Sequence, residues 1–327
     1  MISPAAVEVE SLSRSYGSRK ALDGVSFVVD RGEIFGLLGP NGGGKTTLFR
    51  ILSTLLPPSS GRAAIFGQDV VRQSRDVRRR VGVVFQGQNL DRKLTAAENL
   101  VQQGHLYGMR GRPLHERIGQ LLAELELGDR KDDLVETLSG GQRRRVEVAK
   151  GLLHKPALLL LDEPSTGLDP GVRRALWDAL RAARAAEGVT ILLTTHLLEE
   201  AEQCDRLAIL DRGKLVALGT PDSLKQEIGG EVILVNAHQP EALRDQLQQR
   251  FAVDATVLGS RLRFEHARGH EFIPQLVEAF PGEIQSVTVA KPTLEDVFFR
   301  RTGHPFWESS ALNGRGPAAG SDSRPGR

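Results

Sequence analysis

Short, unbroken apolar runs recur along the first two thirds of the chain, at residues 34–38, 81–85, 157–161 and 189–193. Each is strand length, far below the roughly 20 apolar residues needed to cross a bilayer as a helix. An uninterrupted run fits a strand buried on both faces, as in a parallel sheet with helices on either side. Between the runs the spacing changes to helical intervals, over 48–56, 114–127, 143–153 and 172–186. Near the start, Val7 and Val9 alternate with Glu8 and Glu10 as an edge-type strand, 25–29 reads as another, and 63–67 resumes strand pattern after a turn at 57–61. Strands alternating with helices predict an α/β fold. Residues 95 to about 153 read as a helical insertion in it, opened by Thr95 and Glu98 at capping-box spacing.

The pattern shifts again in the last third. Strand at 231–235, helix at 240–251, a hairpin of 255–258 with 261–264 around Gly259 and Ser260, helix at 271–280, strand at 284–289 and helix at 292–301 give a βαββαβ order followed by one more helix. That order predicts a small ferredoxin-like α+β domain. The expected organisation is therefore residues 1–229, an accessory domain at 230–308, and a disordered tail at 309–327, rich in Gly, Pro and Ser with almost no apolar content.

Candidate chemistry gathers at the polar ends of the apolar runs. After 34–38 comes Gly39, Pro40, Asn41, Gly42, Gly43, Gly44, Lys45, Thr46, Thr47, a G-x-x-x-x-G-K-T phosphate loop between a strand and a helix. Glycines let consecutive backbone N–H groups wrap a phosphate chain, and the helix N-terminus adds the positive end of its dipole. Lys45 can reach the outer phosphates, and the Thr46 hydroxyl is placed to ligate Mg²⁺. A nucleotide triphosphate with Mg²⁺ is the ligand this implies. Run 157–161 ends in Asp162 and Glu163, where Asp162 fits a Mg²⁺-holding carboxylate and Glu163 would face the γ-phosphate; an unpaired buried acidic pair without such a role would be costly. Run 81–85 ends before Gln86, a polar residue suited to a ligand crevice at the sheet's carboxyl edge. Leu138, Ser139, Gly140, Gly141 and Gln142 open a helix whose N-terminus could face an anion, although an ordinary N-cap explains a lone S-G-G equally well. His196 follows the last run, and Tyr16 lies upstream of the phosphate loop; taken singly, both fit structural roles.

Composition narrows the classes. The 327 residues carry 43 basic and 41 acidic side chains, a net charge of +2, which argues against a dominant nucleic-acid surface. The basic clusters 78–80 and 143–145 read as solvated helix faces. A single cysteine, Cys204, excludes an internal disulfide. No signal-like segment opens the chain, so it is expected to be soluble and cytoplasmic, with any membrane role requiring a separate partner.

Taken together and in order, these pieces resemble the ATP-binding subunit of an ABC transporter over roughly residues 5–225. In that resemblance Gly39 to Thr47 look like Walker A, Gln86 the Q-loop, Leu138 to Gln142 the LSGGQ signature, and Leu158 to Asp162 Walker B. Glu163 is similar to the catalytic glutamate, Ser165 to Asp169 to the D-loop, His196 to the switch histidine, and Tyr16 to the adenine-stacking aromatic. Gly43 departs from the family, which usually has a small side chain there; the change leaves the phosphate-binding backbone possible and loosens the helix start. The closing residues 292–298 resemble the accessory domain of drug-export ATPases of the daunorubicin-resistance type. The resemblance implies a P-loop NTPase of the ABC ATPase fold with a helical signature subdomain. It implies ATP bound through Tyr16, the phosphate loop, Asp162, Asp169 and the signature residues, with Mg²⁺ on Thr46, Gln86 and Asp162. It also implies a head-to-tail homodimer, an ABC-2 type permease as partner, export as the direction, and a place on the inner face of the cell membrane through that permease. The alternative is a soluble ABC ATPase acting on a ribosome or nucleic acid, which would be expected to show tandem ATPase halves, a long coiled-coil insertion or a strongly basic surface.

Overall fold

The apolar runs form four neighbouring strands of a six-stranded sheet in the computed structural model, which describes residues 5–87 and 89–306. The expected tail at 309–327 and residues 307–308 of the expected accessory domain lie outside the described residues. The described chain divides into two units, residues 5–218 and 219–306. In the first, β1 (Val7–Tyr16) and β2 (Arg19–Val29) make an antiparallel hairpin, and β3 (Ile34–Leu38) leads through the glycine-rich loop into α1 (Lys45–Leu52). Next come β4 (Ser60–Ile65), β5 (Gln68–Asp69), α2 (Ser74–Arg80) and β6 (Val81–Val84). The helical insertion is α3 (Ala96–Leu106), α4 (Gly111–Glu124) and α5 (Gly140–Leu152), and Thr95 and Ser139 cap α3 and α5 with complete capping boxes. The unit closes with β7 (Leu158–Asp162), α6 (Pro170–Glu187), β8 (Thr190–Thr195), α7 (Leu198–Ala201), β9 (Arg206–Asp211) and β10 (Lys214–Gly219).

The large sheet has the order β10-β9-β3-β8-β7-β6, and its β9-β3-β8-β7-β6 neighbours are parallel. Period-two geometry explains why its strands read as unbroken apolar runs. Phe35, Leu37, Leu158, Leu160 and Leu192 face one core with Leu48, Phe49 and Leu52 of α1. Ile34, Leu159, Leu161, Ile191 and Leu193 face a second core with Val148 and Leu152 of α5 and Trp177 and Leu180 of α6. Both faces are covered, so no polar alternation is possible. A separate sheet, β2-β1-β4-β5, carries the alternating N-terminal strand.

Two expectations change. Helix α1 ends at Leu52 rather than at 56, because Thr54 turns to φ 63° and the backbone N–H groups of Leu55 and Leu56 both bond back to Arg50 O. The cluster 143–145 is not a solvated face: Arg144 is 7% exposed and spends its donors on the interior. It shares the helical stripe of Gly141, Val148 and Gly151, all buried in this helix.

The second unit starts with the short α8 (Pro221–Gln226) and continues as β11 (Glu231–Ala237), α9 (Pro240–Phe251), β12 (Thr256–Leu258), β13 (Arg261–His266), α10 (Gly269–Ala279), β14 (Ile284–Ala290) and α11 (Leu294–Thr302). Its sheet order, β12-β13-β11-β14 with antiparallel pairs, is the ferredoxin-like arrangement. Phe298, Phe299 and Phe306 are buried, with Phe298 and Phe306 edge-on at 4.9 Å, so these aromatics are spent on packing.

Candidate functional site

Parallel strands of one sheet end on one edge, and β3, β7 and β8 bring their carboxyl ends together there. Leu38 pairs with Thr195 and Asp162 with Thr194, so the loops that follow start side by side. In the loop after β3, Gly42 and Gly44 hold φ of 83° and 107°, values that favour glycine. Gly44 caps α1. A Cβ on Gly39 would lie 2.3 Å from Leu210 O, so the backbone there runs too close to β9 for any side chain. At Gly43 the N–H donates to Pro40 O at 3.1 Å and the carbonyl accepts from Gly213 N at 3.0 Å. The expected loosening at Gly43 thus meets a residue pinned on both sides by the backbone, one position before the helix cap.

Lys45 is 4% exposed, and its ammonium donates to Gly39 O at 2.6 Å and Pro40 O at 3.1 Å. Burial pushes this amine below its ordinary value, against the pull of Glu163 and Asp162. Its Nζ lies 3.8 Å from Glu163 Oε1. Tyr16, 45% exposed at the end of β1, shares a pocket of about 280 Å³ with Asn41, Gly42, Gly44, Lys45, Thr46, Thr47 and Glu163.

Glu163 is the meeting point. Strand β7 stops at Asp162, and Glu163 takes φ 45°, a strained conformation for a residue with a side chain, held by its N–H donating to Thr194 Oγ1 at 3.0 Å. Its Oε2 accepts from Gln86 Nε2 at 3.1 Å and Thr166 Oγ1 at 3.2 Å. His196 Nδ1 stands 3.2 Å from the same oxygen, without the alignment of a hydrogen bond. Burial alone would push this carboxyl up, but His196, Lys45 and Thr166 together hold it below the ordinary carboxylate value. Asp162 goes the other way: burial raises it, partly offset by Thr194 Oγ1 donating to Oδ1 at 2.6 Å.

Gln86, Glu163, His196, Lys45, Thr46 and Tyr16 are therefore gathered at one edge with Asp162. The signature residues occupy a different place. Ser139 Oγ accepts from Gln142 N and Gln142 Oε1 accepts from Ser139 N, so both side chains serve the cap of α5 within the chain. Gly140 is exposed, and Gly141 packs on α6, where a Cβ would fall 2.3 Å from Val172 Cγ1. Asp169 caps α6 through Val172 N.

Three side chains at this edge carried no motif signal. Thr194 bonds both acidic residues. Glu200 is 1% exposed, accepts from Ser165 Oγ and Thr195 Oγ1, and is pushed up by burial. Arg144 donates to the carbonyls of Phe85, Asp162 and Pro164. For Arg144 the signal was its position on the buried helical stripe; for Glu200 and Thr194 it was only their nearness to His196 in the chain.

Mg²⁺ prefers oxygen ligands, keeps several waters, and is bound through one or two carboxylates plus substrate phosphates. A hydroxyl, an amide and a single carboxylate match that donor set. No cluster of three or more His, Cys, Asp or Glu placed to hold a metal occurs among the described residues.

The family model described as ABC transporter matches residues 22–166, and that described as ATP-binding protein DrrA1-3-like, C-terminal domain, matches 219–302. The chain is similar to the daunorubicin/doxorubicin resistance ATP-binding protein DrrA of Streptomyces peucetius, 39% identical over 92% of this chain and 93% of that protein. It is also similar to the Nod factor export ATP-binding protein I of Sinorhizobium fredii, 40% identical over 92% and 87%. Among solved structures, an ATP binding subunit of an ABC transporter aligns with TM-score 0.62 at 34% identity, over 68% of this chain and 93% of that one. A dimeric ATP-binding cassette in a post-hydrolysis state with ADP and Pi aligns with TM-score 0.60 at 27% identity, over 65% and 98%.

Proposed function

Because this chain belongs to the ABC transporter family of ATP-binding proteins and is an ATPase, we propose that it powers export of a drug, lipid or other amphiphile through a separate membrane permease. The observation that carries the reading is the convergence of Lys45, Gln86, Thr166 and His196 on Glu163 at the mouth of the phosphate loop. Export as the direction rests on relatives named for drug resistance and for Nod factor export, and on the DrrA-like C-terminal match.

In the proposed mechanism the adenine stacks on Tyr16 and the phosphates take the N–H groups of the loop and the N-terminus of α1. Lys45 then exchanges the carbonyls of Gly39 and Pro40 for the outer phosphates. Thr46, Gln86 and Asp162 would hold Mg²⁺, which supplies positive charge against the phosphate oxygens when bound. Glu163, kept ionised by its neighbours, orients the attacking water and accepts its proton. His196 contacts the γ-phosphate. Ser139 and Gly141 of a second copy of the chain close on the same nucleotide, with Asp169 and its loop at the dimer seam, so closure depends on a γ-phosphate that hydrolysis removes.

No helix among the described residues is long and apolar enough to cross a membrane. The family's ATP-binding subunits work with a membrane permease; we propose an ABC-2 type permease here, with the ATPase peripheral on the cytoplasmic face. A depression of about 380 Å³ beside Phe85 and Asn89, with Leu55, Val77, Tyr107 and His154 in its wall, is the face we assign to it. Tyr107 and His154 stack there at 3.7 Å, and burial pushes the imidazole down to about 4, so it presents a neutral ring. The test is co-expression with a candidate ABC-2 type permease, chosen as a multi-span membrane protein if one is encoded next to this chain. A complex of fixed stoichiometry that accumulates daunorubicin in inverted vesicles only with ATP supports the reading. An active ATPase that copurifies with ribosomes and with no membrane protein contradicts it.

A further inference from the structure

We propose that Arg144 and Glu147 relay the state of the signature end of α5 to the same chain's Gln86 and Glu163, which makes the two ATP sites of the dimer interdependent. The inference rests on the homodimer reading above, in which residues 139–141 face the nucleotide of the partner chain while Gln86 and Glu163 face that of their own. Helix α5 touches both faces, the signature at its N-terminus and the segments of Gln86 and Glu163 along its buried stripe.

Arg144 lies one turn beyond Gly141. Its Nη1 donates to Phe85 O at 2.6 Å, immediately before Gln86; its Nη2 donates to Asp162 O at 3.1 Å and its Nε to Pro164 O at 2.7 Å, on either side of Glu163. Glu147 Oε2 accepts from Arg144 Nη1 at 2.6 Å, while its Oε1 accepts from Asn89 N at 3.0 Å. Lys150 Nζ then donates to Asn89 O at 2.8 Å. Helix α5 thus grips the chain just before and just after Gln86, and the backbone just before and just after Glu163. Gln86 and Glu163 are themselves bonded side chain to side chain.

Arg144 and Glu147 are 7% and 6% exposed. A planar guanidinium with several bonds in fixed directions cannot yield to one carbonyl without straining another, and a buried charge that loses a partner pays heavily for it. A shift of the α5 N-terminus toward a second nucleotide therefore moves Gln86 and Glu163 together. Arg144 is a positioning residue: it touches only the backbone of the segments that carry the chemistry. Arg145, next along the helix, donates instead to Leu125 O and Glu126 on the helical side.

The test measures ATP hydrolysis by the full chain against ATP concentration, for the parent, Arg144→Lys, Glu147→Gln and Arg145→Gln as control. The parent and the control should be sigmoidal. Arg144→Lys keeps the charge but offers one compact donor group in place of the fork. It should lose about tenfold in maximal rate and fall to a Hill coefficient of about 1, with binding of a fluorescent ATP analogue changed by less than about twofold. Glu147→Gln should show the same loss of sigmoidality with a smaller fall in rate. Sigmoidal curves in both variants overturn the relay, as does a rate loss that tracks weaker nucleotide binding. If neither variant keeps a cooperative thermal transition, the pair is a brace of the fold and the relay is refuted. A hyperbolic parent also refutes the interdependence; the dimer reading fails separately, if light scattering with ATP and Mg²⁺ shows the mass of one chain, which separates the two failures.

Discussion

Lys45 and Glu163 are the residues on which the account turns, and each is held by several partners. The Lys45 ammonium is buried against two loop carbonyls, so its charge is already desolvated and aimed along the loop. Replacing it with Ala removes the only side-chain cation in the loop and leaves the glycine backbone to bind phosphates alone. Lys45→Ala is expected to weaken ATP at least tenfold, about 1.4 kcal/mol, in a titration with a fluorescent ATP analogue. Unchanged affinity would mean the backbone cradle suffices. At this scale motif spacing and strand ends marked Lys45, Gln86, Asp162 and Glu163, the family resemblance added His196, and the structure gathers all five at one edge of the sheet. The sequence held only faint signals for Arg144, Thr194 and Glu200, because their roles come from hydrogen bonds between segments distant in sequence. Arg144 to Phe85 spans 59 positions and Thr194 to Asp162 spans 32. A charged residue in a basic cluster is solvated by default, and only the tertiary path of β6 and β7 overrides that.

At the scale of elements, the unbroken runs were readable because a strand covered on both faces leaves no polar alternation, and β3, β7 and β8 are fully buried. The end of α1 was less so, since no proline or glycine marks it and the stop comes from Thr54 turning left-handed. Strands β9 and β10 carried no motif and drew no prediction, though Leu207 to Leu210 are buried and Leu210 supplies the carbonyl that crowds Gly39. The contact of α5 with α6 is invisible in any pattern. Gly141 reads as a phosphate-facing glycine, and in the structure it is also the close-approach point to Val172. Gly141→Ala is expected to destabilise the ATPase unit by about 1–3 kcal/mol through overpacking, with partial recovery in the double variant with Val172→Ala. Thermal unfolding of the single and double variants measures this; no recovery would place the cost in the helix start rather than at the contact.

For the whole molecule, the two units divide the labour. Residues 5–218 contain every side chain that converges on Glu163, whereas the core of 219–306 is spent on Ile233, Val235, Leu243, Leu247, Phe264, Phe272 and Leu276 packing against one another. The signature residues do not converge on that carboxylate within one chain, and this is the physical argument for two copies acting together. Glu163→Gln tests that argument most directly. The amide keeps the volume and can still bond Gln86 and Thr166, but it no longer attracts Lys45 and cannot take a proton from water. Light scattering of this variant with ATP and Mg²⁺, paired with its hydrolysis rate, is the decisive measurement. The account predicts a mass shift from one chain to two on adding ATP, with hydrolysis reduced by about 100-fold or more. A variant that stays at the mass of one chain, or that hydrolyses ATP at the parent rate, would contradict it.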